Sequence, residues 1–339
     1  MRTLNRTAVE MVAPAKGILA ADESTGTLTR RFASHVIDST ADSRRAYREM
    51  LFTTPGLADH TSGVILYDET FHQRTSDGRL FPSLLEDLGV LPGIKVDTGA
   101  KPLAGCPEET VTEGLDGLRE RLEAYAGLGA RFAKWRAVIA IGDGRPSRVC
   151  LSANAHALAR YAALCQEAGI VPIVEPEVLM DGRHPLGRAA AVTEETLRTV
   201  FAALADQDVD LEGIVLKPNM VVPGRDARRP ATEAEVADAT LTCLRRTVPA
   251  AVPGVAFLSG GQSPDEATGH LRAMVEAGPH PWQLTFSFGR ALQDPALAAW
   301  GGSDVAAGQA ALADRLRRTA AARCAPVDLA DEPLLEPAV

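Results

Sequence analysis

Eight short apolar runs, separated by segments of helical period, leave this chain few folds to choose from. The runs are GILAAD (17–22), GVILYDE (63–69), GIKVD (93–97), RFAKWRAVI (131–139), IVPIVEPEV (170–178), GIVLKPNM (213–220), GVAFLSGG (254–261) and WQLTFSFGR (282–290). They are near-continuously apolar rather than alternating, as expected of strands covered on both faces, so they read as parallel strands. Between most of them lie helical patterns at 41–53, 111–128, 152–169, 193–207, 231–248 and 263–278. Thr193, Thr232 and Ser263 each precede acidic residues, the arrangement expected at a helix start.

A βα unit repeated eight times without a boundary-like linker predicts a closed (β/α)8 barrel over residues 1–323, with an extra N-terminal helical segment. An open doubly wound sheet is the runner-up. Residues 324–339, CAPVDLADEPLLEPAV, lose helical period and gain Pro and acid, which predicts a mobile tail.

Other classes are disfavoured by composition. A net charge of −9 with arginine pairs scattered among acids predicts no nucleic-acid or membrane-surface binding. The N-terminus lacks a signal-like apolar core, and no run approaches the length of a membrane span. Five widely spaced cysteines without a C-x-x-C pair fit a reducing, cytoplasmic setting. The seven histidines stand apart with no H-x-H or H-E-x-x-H pattern, so no metal site is expected.

Nearly every run ends in something ionisable or in glycine. In order these are Asp22, Asp68 with Glu69, Lys95 with Asp97, Lys134 with Arg136, Glu175 with Glu177, Lys217, Ser259 with Gly260 and Gly261, and Gly289 with Arg290. A single charge at a strand end usually marks an exit to solvent. In a barrel, however, all these ends meet on the face that carries the active site.

Lysine is almost never buried without a partner, and clustered lysines disfavour one another's protonated form. Lys95, Lys134 and Lys217 therefore predict a nucleophilic amine suited to attack a ketone and form a Schiff base. Asp22, Glu175 and Glu177 would hold the cluster and move protons. The SGG of 259–261 and FGR of 288–290 predict a phosphate site of loop amides, a helix N-terminus and Arg290. DESTGTLTRR (22–31) supplies a second anion locus through Ser24, Thr25, Thr27, Arg30 and Arg31. Two such loci flanking a lysine nucleophile suggest a ketose with a phosphate at each end.

With these residues in place the chain resembles the class I (Schiff-base) fructose-1,6-bisphosphate aldolases. GILAADEST, GIKVD, FAKWR, IVPIVEPE, LKPNM, FLSGGQS and FGRALQ stand in that family's order across roughly residues 10–302. The resemblance implies that Lys217 attacks C2 of the open-chain ketose and Glu175 protonates the departing hydroxyl, with Glu177 assisting. It implies that Asp22 acts at the C3–C4 bond, that Lys134 lowers the amine's pKa and stabilises charge, and that Lys95 contacts sugar hydroxyls and the far phosphate. Ser259, Gly260, Gly289 and Arg290 would bind the C1 phosphate, and Ser24, Thr27 and Arg31 the C6 phosphate. Arg136 would pair with acids of the ring.

By the same resemblance no metal or other cofactor is needed, because the iminium on Lys217 is the electron sink. The protein would be a cytoplasmic homotetramer acting on a sugar phosphate. Two departures stand out. Better-known members end in a tyrosine that assists proton exchange, whereas this sequence ends EPAV and its last tyrosine is Tyr161; water, Glu175 or another tail group is then the candidate donor. Phe288 also stands where the family often has tyrosine. A catalytically weakened barrel used for binding or scaffolding is the alternative, against which the intact set Asp22, Lys95, Lys134, Glu175 and Lys217 argues.

Overall fold

The strands close on themselves. The computed structural model describes residues 2–324, and in it eight parallel strands form a complete ring. They are β1 (Gly17–Ala21), β2 (Thr61–Leu66), β3 (Leu91–Lys95), β4 (Phe132–Ile139), β5 (Val171–Val178), β6 (Val215–Leu216), β7 (Gly254–Phe257) and β8 (Gln283–Phe288). β1 pairs with both β2 and β8, so the sheet has no edge and the open doubly wound alternative is excluded. Strands β1, β2 and β5 are buried along their whole length, which is why their sequences carry no polar-out alternation.

Two layers of core surround this ring. Outward side chains such as Trp135, Phe257, Phe286 and Phe288 pack under the connecting helices. Inward ones, including Ile18, Ile65, Phe132, Val171, Ile173 and Val215, fill the barrel axis. Leu4, Ala8 and Met11 of the N-terminal helix Arg2–Met11, with Val12 just after it, join the inner cluster and close the N-terminal end of the barrel. Phe132 sits where Gly63 and Gly93 leave room, since a Cβ at either glycine would collide with its ring.

Three expectations need correction. The helix expected over 111–128 begins only at Leu118 and runs to Gly127. Thr110–Glu113 instead pairs antiparallel with Gly99–Pro102 as a hairpin outside the barrel. The β-branched pair Val111–Thr112 favours a strand, and Gly114 and Gly117 at φ +128° and +64° interrupt the chain before the helix can start.

Thr193 is not a helix start. The helix runs from Leu186 to Asp206 because the stretch LGRAAAV propagates it upstream, and the Thr193 hydroxyl accepts a hydrogen bond from Asn219 Nδ2 at 3.2 Å. Thr232 and Ser263 do cap their helices, each in a reciprocal capping box with a glutamate three residues on.

The third concerns β6, which is only two residues long. Lys217 lies just beyond it, its N–H still donating to Val174 O at 2.8 Å. Pro218 has no N–H with which to continue the ladder. The tail expected over 324–339 lies, apart from Cys324, outside the described residues.

Candidate active site

Period two explains how the strands deliver charge to one place. Lys134 and Arg136 are two residues apart on β4, as are Glu175 and Glu177 on β5, so each pair shares the inward face while Trp135 turns outward against Tyr161. Register completes the arrangement, because Lys95 lies opposite Lys134 and Arg136 opposite Glu175 on neighbouring strands. Asp22, immediately after β1, and Lys217, immediately after β6, close the ring.

The four central groups alternate in sign. Lys134 Nζ lies 2.7 Å from Asp22 Oδ2 and 3.3 Å from Glu175 Oε2, and Glu175 Oε1 reaches Lys217 Nζ at 3.2 Å. Lys134, Glu175 and Lys217 are all at least 95 % buried, so these charges meet with little water between them. Lys95 Nζ is held by Asp97 Oδ1 at 2.7 Å and by the Asp97 carbonyl at 2.8 Å. Arg136 Nε pairs with Glu177 Oε2 at 2.5 Å, as the ring of acids led us to expect.

Electrostatics separates the roles of these lysines. Burial opposes the charged form of Lys134, but Asp22, Glu175 and Asp97 outweigh it and hold the ammonium well above its ordinary pKa. The mutual depression expected from clustered lysines is therefore overturned at this position by the carboxylates. Burial likewise opposes ionisation of Asp22, yet Lys134, Lys217 and Lys95 together hold its carboxyl well below the usual range. Lys134 is a fixed cation and Asp22 a fixed anion. Lys217 is the lysine with the lightest pairing, its one carboxylate contact among the described residues being Glu175.

These groups line a cavity of 760 Å³ at the C-terminal end of the barrel, which Ser24, Thr27, Arg31, Ser259, Gly260, Gly289 and Arg290 also border; Thr25 and Gly261, expected at the anion sites, and the run-end residues Asp68 and Glu69 do not. One wall is the loop after β7. Gly260 adopts a left-handed φ of +54°, and Gln262 donates its backbone N–H and its side-chain Nε2 to the Ser259 carbonyl, each at 3.1 Å. Arg290, at the start of the helix Arg290–Trp300, donates to the Gly260 carbonyl and has no carboxylate within ion-pair distance among the described residues. Free loop amides, a helix N-terminus and an unpaired guanidinium make this wall suited to an anion.

The opposite wall is the start of the helix Thr25–Ala33. Ser24 caps that helix by accepting from Thr27 N at 3.4 Å, and Arg30 Nη2 donates to Thr27 Oγ1 at 3.2 Å. Arg31 borders the cavity too, but its guanidinium is already bonded to Glu23, to Asp294 Oδ1 at 2.9 Å and to Gln293 Oε1 at 3.3 Å.

Several residues escaped the sequence. Ser287 on β8 is buried, lines the cavity, and its hydroxyl has no partner among the described residues. Its one signal was position: Thr285, Ser287 and Gly289 alternate with Phe286 and Phe288, which places the small and polar set inward. Phe288 itself is buried in the outer core, 5.5 Å from Phe286, and does not border the cavity. Glu23, Gln293 and Asp294 gave no signal, because nothing local connects the helix after β8 to Arg31.

Comparison with known proteins agrees with this geometry. Residues 3–328 match the family model described as fructose-bisphosphate aldolase class-I. A probable fructose-bisphosphate aldolase class 1 of Xylella fastidiosa is 59 % identical over 88 % of this chain and 89 % of its own. Fructose-bisphosphate aldolase 4, cytosolic, of Arabidopsis thaliana is 54 % identical over 86 % of this chain and 74 % of its own. The solved structure of the Plasmodium falciparum fructose-bisphosphate aldolase superposes with a TM-score of 0.94 at 46 % identity, covering 95 % of this chain and 94 % of that one.

Proposed function

We propose, from the premise that this chain belongs to the class-I fructose-bisphosphate aldolase family, that Lys217 is the amine on which its reaction runs. The activity is the reversible cleavage of fructose 1,6-bisphosphate to dihydroxyacetone phosphate and glyceraldehyde 3-phosphate, by the Schiff-base route general to class I. The observation that carries the residue assignment is the position of Glu175, whose two oxygens lie between the fixed cation Lys134 and the lightly paired Lys217.

In this reading neutral Lys217 attacks C2 of the open-chain ketose and forms a carbinolamine. Glu175, having taken the proton that Lys217 gives up on becoming the neutral amine, delivers it to the C2 hydroxyl, which leaves as water, and the nitrogen lone pair forms the iminium. Asp22, ionised at any ordinary pH, accepts the C4 hydroxyl proton. The C3–C4 bond breaks, its electron pair moves into the iminium to give an enamine, and the aldehyde departs. Protonation at C3 and hydrolysis then return the amine and release the ketose phosphate. Lys134 keeps Asp22 ionised and holds it close to Glu175, while Glu177 and Arg136 brace the neighbouring strand positions.

For binding, Ser259, Gly260, Gly289 and Arg290 take the C1 phosphate. Ser24, Thr27 and Arg31 face the C6 phosphate, and Lys95 the intervening hydroxyls. No metal or other cofactor is required in this scheme, because the iminium serves as the electron sink. The assembly and location that the family supports are a homotetramer in the cytoplasm, one relative being named cytosolic.

Borohydride reduction in the presence of dihydroxyacetone phosphate tests the assignment. The expected result is one sugar-phosphate adduct, located on Lys217 by peptide mass, with activity unaffected by EDTA. An adduct on another lysine, or no adduct, overturns it. Arg290→Ala is expected to raise KM for phosphorylated ketoses about ten- to hundredfold, the worth of charge-assisted bonds to a phosphate, with a smaller change in kcat. An unchanged KM would remove Arg290 from the phosphate site.

A further inference from the structure

The two anion walls are charged unequally. Arg290 meets the cavity without an acid, whereas Arg31 reaches it already flanked by two: of its five N–H donors, Nη1 bonds Glu23 and Gln293 and Nη2 bonds Asp294. The two acids are not equivalent. Glu23 is shared with the fully buried Arg48, whose Nη2 lies 2.8 Å from Glu23 Oε2, so one guanidinium already compensates it. Asp294 has no cationic partner but Arg31 among the described residues, and its side chain is 52 % exposed where that of Arg31 is 13 %.

The helix Arg290–Trp300 thus serves both walls. Its first residue offers a free cation to one phosphate. One turn on, Asp294 neutralises the cation that faces the other. A distal phosphate arriving at Arg31 competes with a carboxylate of the same charge for a guanidinium whose charge that carboxylate already offsets.

We propose that Asp294 is a specificity-determining residue: by competing for Arg31 it limits the contribution of the distal phosphate, so the chain discriminates only weakly between bisphosphorylated ketoses and ketoses phosphorylated at C1 alone. This rests on the functional reading above. Its internal reference is fructose 1-phosphate, which undergoes the same imine chemistry but lacks the group that Asp294 opposes.

Asp294→Asn keeps the shape and removes the charge. The expected result is a rise of about two- to fivefold in the ratio of kcat/KM for fructose 1,6-bisphosphate to that for fructose 1-phosphate, the range an exposed ion pair commands. A double-mutant cycle identifies the route: Arg31→Ala is expected to lower this ratio more in the Asn background than in the unmodified protein. A ratio that stays level or falls in Asp294→Asn overturns the proposal, as does an Arg31→Ala effect independent of residue 294. Failure of the unmodified protein to cleave either sugar would instead overturn the functional reading, so the two failures are distinguishable.

Discussion

Lys217→Met is expected to abolish cleavage, with a loss in kcat of about 10⁵–10⁶-fold, the order found when the nucleophile of a covalent mechanism is removed. Methionine matches lysine's unbranched stem and should pack in the same buried slot with little cost to the fold, since Lys217 Nζ makes its one carboxylate contact with Glu175. The variant should also yield no borohydride adduct with dihydroxyacetone phosphate. Residual turnover within about tenfold of the unmodified protein, or an adduct retained elsewhere, would show that a different amine carries the imine.

Lys134→Met should produce the second-largest effect, and of a different kind. The ammonium is shared by Asp22 and Glu175 at 2.7 and 3.3 Å, so its removal takes from Asp22 its one ion-pair partner among the described residues and leaves Glu175 with Lys217 alone. Breaking a buried pair from one side costs about 3–5 kcal/mol, measurable by urea unfolding, and kcat should fall about 10²–10⁴-fold through loss of a fixed charge and correct protonation. A slow but detectable adduct on Lys217 should survive, separating this variant from Lys217→Met.

The pH dependence follows from the direction of each shift. Asp22 is depressed below its ordinary 3.8, so its contribution to stability is complete above that value and lost as pH falls through the lower folded-state value. Lys134 is raised above its ordinary 10.5, so its contribution is complete below that value and lost only at higher pH still. Without Lys134 the largest influence opposing burial at Asp22 is lost, only Lys217 and Lys95 remain against it, and the carboxyl takes up a proton more readily. The acid limb of both stability and activity should therefore move to higher pH. An acid limb unmoved in Lys134→Met would mean that the pair does not control Asp22.

Much of this site is legible in the sequence. Lys-x-Arg in β4 and Glu-x-Glu in β5 interrupt apolar runs at period two, and period two puts both members on one face whatever the surroundings. The ring closure was legible for the same reason, since eight fully covered strands have few ways to hide their edges. Among Lys95, Lys134 and Lys217, run ends and period alone did not single out the reactive one; only the family motif LKPNM pointed to Lys217. Reactivity depends on the carboxylates each one faces, and Asp22 approaches Lys134 from a strand more than a hundred residues away.

Local signals also misled where two propensities competed. Thr193 followed by two glutamates resembles a helix start, but the alanines upstream carry the helix through it. Val111–Glu113 fits a helical window until the glycines behind it are given their left-handed angles. Asp294 was invisible because its partner Arg31 is on another helix, and an acid on a helix surface is ordinarily only a solvated charge.

The N-terminal helix has a consequence for kinetics. With Ala8 and Met11 wedged under the barrel axis, the floor is sealed, and the cavity has its mouth on the opposite side. Substrate and both products must share that doorway. In the proposed scheme the three-carbon fragment tethered to Lys217 cannot use it until water frees it, so the aldehyde exits first. In the condensing direction the aldehyde must find the doorway already occupied from within, which makes the order of traffic a property of the architecture.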